Sequence, residues 1–211
     1  MSKRDKHEQM IREYAMKADT FIFDIDGTLY HIFYMALNLL VLFIKHPRVG
    51  INFYKARKAF RKAKWPDKSF ASRDVFLRRQ AECVGKTAEY FNTHLYRYVN
   101  SRAVRLRPFK GMRETLEMLK SMGKKIYVYS DFPVGNKLEE LNVPNMFDGE
   151  FSAEDSGFLK PDARGLDYLR SKMDFDVERT LFVGDRIFTD GGFAHNCSMV
   201  FARIGKDWRW S

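Results

Sequence analysis

Four short apolar runs in the chain have the length and composition of buried strands. The first covers residues 20–25, and the others cover residues 124–133, 179–185 and 198–205. Continuous apolar runs of this kind are typical of strands in a parallel sheet, which is covered on both faces. Asp, Pro or Gly residues stand at or just after the end of each run, so we expect each strand to end there in a loop.

Apolar positions recur at helical spacing between these runs. Residues 112–122 place Leu116, Leu119 and Met122 on one face, and residues 163–173 repeat the pattern. Strands that alternate with helices of about a dozen residues indicate an α/β domain with a mainly parallel sheet. We therefore predict a Rossmann-like α/β core.

The segment that follows the first strand is entirely helical in pattern. It predicts four helices, over residues 32–44, 51–64, 72–84 and 87–99. We expect residues 31–103 to form an inserted helical domain. Residues 1–30 and 104–211 would then form the α/β core.

Charge is distributed unevenly along the chain. Residues 31–110 hold 18 of the 37 Lys and Arg residues but four of the 27 Asp and Glu residues, which gives this segment +14 in a chain of net charge +10. Such an excess attracts anions. An anionic membrane surface or another polyanion is therefore one candidate partner, and a solvated face is the alternative. Nucleic acid is the less favoured partner.

The lengths of the apolar runs bear on where in the cell the protein is located. The run of residues 32–44 is shorter than the roughly 20 residues of a membrane-spanning helix, so we interpret it as the buried face of a helix. Residues 1–14 lack the apolar core of a secretory signal. We expect a cytoplasmic protein, with peripheral membrane contact as the alternative. The two cysteines indicate neither a disulfide framework nor a zinc site, and the sequence does not indicate an oligomeric state.

Carboxylates gather at the predicted carboxyl ends of the strands. In open α/β sheets these ends meet at one edge, where ligands bind. Burial of charge is costly without compensation, and several oxygen ligands without histidine favour Mg²⁺. The residues expected at this edge are Asp24, Asp26, Ser130, Asp131, Lys160, Asp185 and Asp190.

This set of motifs resembles that of the haloacid dehalogenase (HAD) superfamily of phosphotransferases and hydrolases. The matching stretches are DIDGT at 24–28, Ser130 in YSD, Lys160 in GFLKP, and GDRIFTD at 184–190, in the family's order. The resemblance covers about residues 20–30 and 104–203. It looks closest to the branch with a helical cap inserted after the first motif, and it implies the HAD fold.

The resemblance also implies an activity, that of a Mg²⁺-dependent phosphatase for a small phosphorylated substrate. Asp24 would be the nucleophile that forms an aspartyl-phosphate, and Asp26 the general acid and base. Ser130, Lys160 and Thr28 would hold the phosphate, and Lys160 would keep Asp24 ionised.

The resemblance also implies a metal site. Mg²⁺ would be bound by Asp24, the backbone carbonyl of Asp26 and Asp185, with Asp190 close by. The second motif reads Ser-Asp where Ser-Asn or Thr-Asn is commoner, so Asp131 is expected to alter substrate contacts.

Three other functions stay open. One is a phosphomutase or phosphotransferase of the same superfamily, and another is a phosphatase for lipid or polyanionic phosphates at a membrane surface. A non-enzymatic binding protein is disfavoured, because the full residue set is present.

Overall fold

A five-stranded parallel sheet forms the centre of the protein. The computed structural model describes residues 3–96 and 104–210. Its strands lie in the order β3-β2-β1-β4-β5, and every neighbouring pair is parallel. They are β1 (Thr20–Phe23), β2 (Lys125–Ser130), β3 (Gly149–Ser152), β4 (Thr180–Gly184) and β5 (Val200–Arg203).

All four predicted strands are confirmed, and each is shorter than its apolar run. The sequence pattern missed β3, which lies at the edge of the sheet. Only Ser152 of its four residues is buried. An edge strand that is covered on one side needs no continuous apolar run, so β3 carries little of the pattern by which the other strands were found.

Helices surround the sheet and also fill the segment between β1 and β2. They are α1 (Lys3–Lys17), α2 (Phe33–Lys45), α3 (Pro47–Lys62), α4 (Arg73–Glu82), α5 (Ala88–Phe91), α6 (Met112–Ser121), α7 (Lys137–Glu140), α8 (Arg164–Arg170) and α9 (Gly192–Asn196). The predicted α/β architecture is thereby confirmed. Helix α1 was not predicted, because its sequence is highly polar and Ile11 and Ala15 are its main buried apolar residues.

The four helices predicted after the first strand are present as α2 to α5. Ser72 and Thr87 cap α4 and α5, because their side chains accept hydrogen bonds from the backbone N–H groups of Val75 and Tyr90. Helix α5 continues as a wider π-helical turn, Asn92–Tyr96. The remainder of the predicted helix, to residue 99, lies outside the described residues.

The interpretation of residues 32–44 as a buried helix face is correct only in part. Met35 and Leu42 of α2 are buried, but Phe33, Leu40 and Ile44 are 55%, 53% and 71% exposed. An apolar run that is longer than the available contact surface leaves its other face in solvent. None of the described helices is both long enough and apolar enough to cross a bilayer.

Two segments connect the helical group to the sheet, and they lie side by side. The N–H of Phe109 donates to the carbonyl of Leu29 at 3.0 Å, and Tyr30 bridges to Pro108. Asn38 of α2 bonds both the N–H and the carbonyl of Val104, each at 2.9 Å. The division of the chain into a core and an insertion at residues 30 and 104 stays a prediction.

The order of the strands determines where a ligand can bind. From β1 the chain crosses to β2 and then β3 on one side, and it later returns to β4 on the other side. A crevice forms at such a switch point, beyond the carboxyl ends of the two strands. Asp24 follows β1 and Asp185 follows β4, so both begin the loops that line this crevice.

Candidate active site

The carboxylate of Asp24 lies at the end of the central strand. The backbone N–H of Asp24 donates to the carbonyl of Val183 in β4 at 2.9 Å, which fixes the main chain there. Its Oδ1 accepts a 2.7 Å bond from Lys160 Nζ, and its Oδ2 accepts a 3.3 Å bond from the Thr28 hydroxyl. All three side chains are buried.

Lys160 connects two carboxylates from different loops. Besides Asp24, its Nζ contacts Asp190 Oδ1 at 2.7 Å and donates to the carbonyl of Tyr129 at 3.1 Å. Burial opposes the charge of Lys160, but Asp190 and Asp24 outweigh this and raise its pKa. The lysine is therefore held as a cation between the two carboxylates.

Three carboxylates converge closely enough to bind one cation. One oxygen each from Asp24, Asp185 and Asp190 lie within 4.8 Å of one another. Burial, and then repulsion between carboxylates, raises the pKa of Asp24 to about 7 and that of Asp185 to about 6. The charge of Lys160 lowers the pKa of Asp24, in the predicted direction, but burial outweighs it. The direction of this effect is the expected one, and the expectation that Lys160 keeps Asp24 ionised stays a prediction.

A divalent cation fits this set of donors. Asp185 Oδ1 is buried and accepts no hydrogen bond from any described residue, and Arg186 Nε is 3.7 Å away. The cluster offers only oxygen ligands, which Mg²⁺ prefers, and positive charge there would favour the ionised carboxylates.

Asp26 is surrounded by donors of the protein itself. Lys137 Nζ lies 2.8 Å from both of its carboxylate oxygens. The Tyr30 hydroxyl donates to Oδ1, and the Ser130 hydroxyl donates to Oδ2 at 3.3 Å. Burial raises the pKa of Asp26, but Lys137 and then Tyr30 outweigh it, so the pKa lies below its usual value.

Sequence reasoning missed Lys137 and Tyr30. Lys137 begins α7, seven positions after Ser130, and Tyr30 follows Asp26 by four positions. A lysine at the start of a short polar helix normally faces solvent, yet Lys137 is 1% exposed. Only the three-dimensional path of the β2–α7 loop brings it to Asp26.

The structure brings all eight predicted site residues to one edge of the sheet, but not all of them line the same cavity. Asp24, Asp26, Lys160 and Asp190 line a small cavity of about 10 Å³, together with Asp131, Phe132, Arg186 and Thr189. Ser130 and Thr28 do not line this cavity. Their hydroxyl groups donate hydrogen bonds to Asp26 and Asp24, respectively. A cavity of this size holds about one water molecule, so a phosphate group cannot enter without movement. A larger groove between α1 and α6, of about 1080 Å³, contains none of these residues.

Two arginines of α3 cover the cavity from the helical side. Arg57 is 5% exposed, forms a buried ion pair with Glu154, and donates to the carbonyl of Asp131 at 3.2 Å. Arg61 bonds the Asp131 carboxylate at 2.5 Å and the carbonyl of Lys160 at 3.1 Å. Arg57 is therefore withdrawn from any solvated or polyanion-binding face, whereas Arg61 remains partly exposed with its charge paired to Asp131.

Gly27 permits the close approach of two loops. Its φ is +98°, and a Cβ atom added there would lie 2.3 Å from Asp185 Oδ2. Glycine therefore serves both the backbone conformation and the position of Asp185.

Comparison with known proteins agrees with this geometry. The family model described as haloacid dehalogenase-like hydrolase matches residues 18–197. The chain belongs to this family. Its place in the helical-cap branch stays a prediction.

Relatives of known sequence or structure are similar over different lengths. The chain is 32% identical over 117 residues to glyceraldehyde 3-phosphate phosphatase of Methanocaldococcus jannaschii, and 31% identical over 113 residues to that of Methanothermobacter thermautotrophicus. These matches cover 54% and 52% of the chain but only 51% and 50% of the two relatives. The chain thus matches about half the length of each.

Solved structures match over nearly the whole chain. Magnesium-bound YfnB of Bacillus subtilis has a TM-score of 0.63 at 18% identity and covers 92% of both chains. L-2-haloacid dehalogenase of Xanthobacter autotrophicus has a TM-score of 0.58 at 19% identity, covering 90% of this chain and 78% of the other. At these identities the similarity supports the fold alone.

Proposed function

We propose that the protein is a Mg²⁺-dependent phosphatase that hydrolyses a small phosphomonoester through an aspartyl-phosphate on Asp24. The observation that carries the proposal is the ion pair between Asp24 and Lys160 at the crevice of the sheet. The carboxylates of Asp185 and Asp190 lie beside this pair. The names of the two partial relatives make glyceraldehyde 3-phosphate the first substrate to test.

Asp24 is the proposed nucleophile. Its carboxylate oxygen attacks phosphorus, the bond from phosphorus to the leaving oxygen breaks, and an aspartyl-phosphate forms. Lys160 and Thr28 donate hydrogen bonds to its carboxylate and hold the side chain in place. The ammonium group of Lys160 also opposes the charge of the incoming phosphate.

Asp26 is the proposed proton carrier. It gives a proton to the departing alkoxide in the first step, and in the second step it removes a proton from the water that attacks the aspartyl-phosphate. Its lowered pKa in the free protein suits the second step directly. For the first step, the negative charge of a bound phosphate would raise the proton affinity of Asp26.

The proposed metal site consists of Asp24, Asp185 and Asp190, with the backbone carbonyl of Asp26 as the predicted fourth ligand. Mg²⁺ bound there would neutralise charge that develops on the phosphoryl oxygens. Gly27 keeps Asp185 close to the first loop.

Release of inorganic phosphate tests the proposal. We expect turnover of p-nitrophenyl phosphate and glyceraldehyde 3-phosphate with Mg²⁺, and none in excess chelator until Mg²⁺ is restored. Full activity in chelator would contradict the metal dependence. Phosphate transfer to a sugar acceptor without release would favour the phosphotransferase instead, and absence of both reactions would favour a binding protein.

A second proposal concerns the insertion, which we propose acts as a cap that attracts anions through α3. Lys55, Lys58 and Lys62 are exposed on this helix, near the exposed apolar side chains of Ile51 and Tyr54. This combination suits a large anion or an anionic lipid surface. Arg57 is buried and is not part of this face, and the charge of Arg61 is paired with Asp131.

A further inference from the structure

Lys137 has a position that the family chemistry proposed above does not use. Its side chain is 1% exposed, and its Nζ lies 2.8 Å from each carboxylate oxygen of Asp26. A buried ammonium group is costly unless it is fully paired. The equal distances to two oxygens of one carboxylate supply that pairing, and they tie α7 to the loop after β1.

Four donated hydrogen bonds fix the orientation of the Asp26 carboxylate. Oδ1 accepts from Tyr30 and Lys137, and Oδ2 accepts from Ser130 and Lys137. Rotation about the last side-chain bond would break several of these bonds at once. At the same time Asp26 lines the cavity beside Asp24, where a substrate's phosphate would bind.

We propose that Lys137 is a positioning residue for Asp26 in the step in which the leaving group departs. The inference rests on the proposed phosphatase function. Lys137 fixes the plane of the Asp26 carboxylate, with help from Tyr30, so that one oxygen can reach the leaving oxygen of the substrate. Lys137 itself need not touch the substrate.

A purely structural role for Lys137 would have different consequences. If the ion pair only held α7 against the sheet, its loss would weaken turnover of every substrate to a similar extent. Loss of the charge of Lys137 alone would favour a protonated Asp26 and would not slow the departure of the leaving group. If Lys137 positions the proton donor, its loss would instead grow with the leaving group's need for a proton. Alkoxides need one, whereas p-nitrophenolate leaves readily without one.

The leaving-group dependence of the Lys137→Met variant tests this difference. We compare kcat/KM, which includes the leaving-group step, for glycerol 3-phosphate and p-nitrophenyl phosphate with Mg²⁺. The loss should be roughly 100-fold for the alkyl ester, within the usual range of general acid catalysis, and less than about tenfold for the aryl ester. Tyr30→Phe keeps the ring and should give the same bias at a smaller size, so it serves if Lys137→Met does not fold.

A double-mutant cycle with Asp26→Asn separates positioning from general damage. Once Asp26 cannot carry a proton, Lys137→Met should cost the alkyl ester little more, so the two losses should be strongly non-additive. The exposed Lys172→Met is the matched control and should keep both activities. Thermal unfolding of each variant shows whether it is folded at the assay temperature.

The outcomes distinguish this inference from the function on which it rests. No turnover of either ester by the parent protein would overturn both. Turnover by the parent with equal losses for the two esters, or additive losses in the cycle, would overturn the role of Lys137 alone. A selective loss for the alkyl ester that disappears in the Asp26→Asn background supports it.

Discussion

Asp24 combines deep burial with a cationic neighbour and two further carboxylates. Burial and repulsion from Asp190 and Asp26 raise the pKa of Asp24, so we expect the fold to accept a neutral side chain there. We predict that Asp24→Asn lowers kcat by more than about 10³-fold, as for the loss of other nucleophiles. Its free energy of unfolding should change by less than about 1 kcal/mol, since Lys160 keeps Asp190 as a partner.

Phosphate release and urea unfolding measure the two effects. The exposed Asp174→Asn is the matched control, because it makes the same chemical change away from the crevice. Activity of Asp24→Asn within tenfold of the parent would rule out the nucleophilic role. A large loss of stability would instead mean that the carboxylate supports the fold.

Gly27 provides a second test at the residue scale. An added methyl group would press on Asp185 Oδ2, in addition to straining a backbone with φ of +98°. We predict that Gly27→Ala lowers stability by about 1–3 kcal/mol and raises the Mg²⁺ concentration needed for half-maximal activity. Titration of activity with Mg²⁺, together with urea unfolding, measures both.

Gly123→Ala is the control that distinguishes the effect of backbone strain from the effect of displacing Asp185. Gly123 also has a positive φ, of +71°, but an added Cβ there would meet nothing within 4 Å. It should lose stability without a change in the Mg²⁺ requirement. An equal Mg²⁺ requirement for Gly27→Ala and the parent would show that Asp185 does not need its present position.

At the scale of elements, α3 is held to the core by a buried ion pair. Arg57 pairs with Glu154, in the turn after β3, and its guanidinium lies 3.9 Å from the centre of the Phe132 ring. We predict that Arg57→Met lowers the free energy of unfolding by about 3–5 kcal/mol, because Glu154 is left buried without this partner. Urea unfolding measures the loss.

Removal of both charges should recover part of that loss. The Arg57→Met, Glu154→Gln double variant leaves no unpaired charge, so it should be more stable than Arg57→Met alone. Lys58→Met, on the exposed side of the same helix, should stay within about 0.5 kcal/mol of the parent. A double variant no more stable than the single one would contradict the ion-pair explanation.

The segment after β5 supports the loop that carries the first motif. Trp210 Nε1 donates a 2.7 Å bond to the carbonyl of Thr28, whereas Trp208 Nε1 is buried and has no hydrogen-bond partner within residues 3–96 and 104–210. We predict that Trp210→Phe lowers stability by about 1–3 kcal/mol through the carbonyl left unsatisfied, and also lowers kcat. Trp208→Phe removes the same atoms without breaking a hydrogen bond, so it should leave kcat unchanged. Equal effects on kcat would exclude this role.

Local pattern explains which elements could be predicted. β1, β2, β4 and β5 are found because a parallel strand covered on both faces is continuously apolar. β3 at the edge and α1 on the surface carry few apolar residues, so neither stands out. The candidate site aspartates could be identified because the motifs that contain them, and the order of those motifs, can be read from the sequence. Lys137 and Tyr30 were not, because their role depends on how loops distant in sequence meet.

At the scale of the whole molecule, α3, one of the helices between β1 and β2, lies against the residues that line the small cavity. Arg61 links α3 to Asp131 and to the carbonyl of Lys160, so α3 adjoins the crevice. This also gives a physical role to Asp131, which departs from the usual second motif. Its Oδ1 accepts from the N–H of Lys160 at 3.0 Å. The carboxylate thus joins the insertion to the loop of the proposed phosphate-binding lysine.

The remaining exposed charge of the insertion gives the final prediction. Lys55, Lys58 and Lys62 project into solvent on α3, so their attraction for a large anion should fade with salt, over about 8 Å at physiological ionic strength. We predict that heparin, as a polyanionic probe, inhibits hydrolysis of p-nitrophenyl phosphate by the parent at low salt. Replacement of the three lysines by glutamine should weaken this inhibition severalfold and leave uninhibited turnover unchanged.

A matched control variant removes three exposed lysines that lie outside the helices between β1 and β2. Lys120, Lys172 and Lys206 are also exposed, and their replacement by glutamine should not alter inhibition by heparin. Long-range attraction to net charge would affect both triple variants equally, whereas a binding face on α3 affects only the first. If the two variants are inhibited equally at low and high salt, the lysines of α3 form a solvated face and the cap does not select anions.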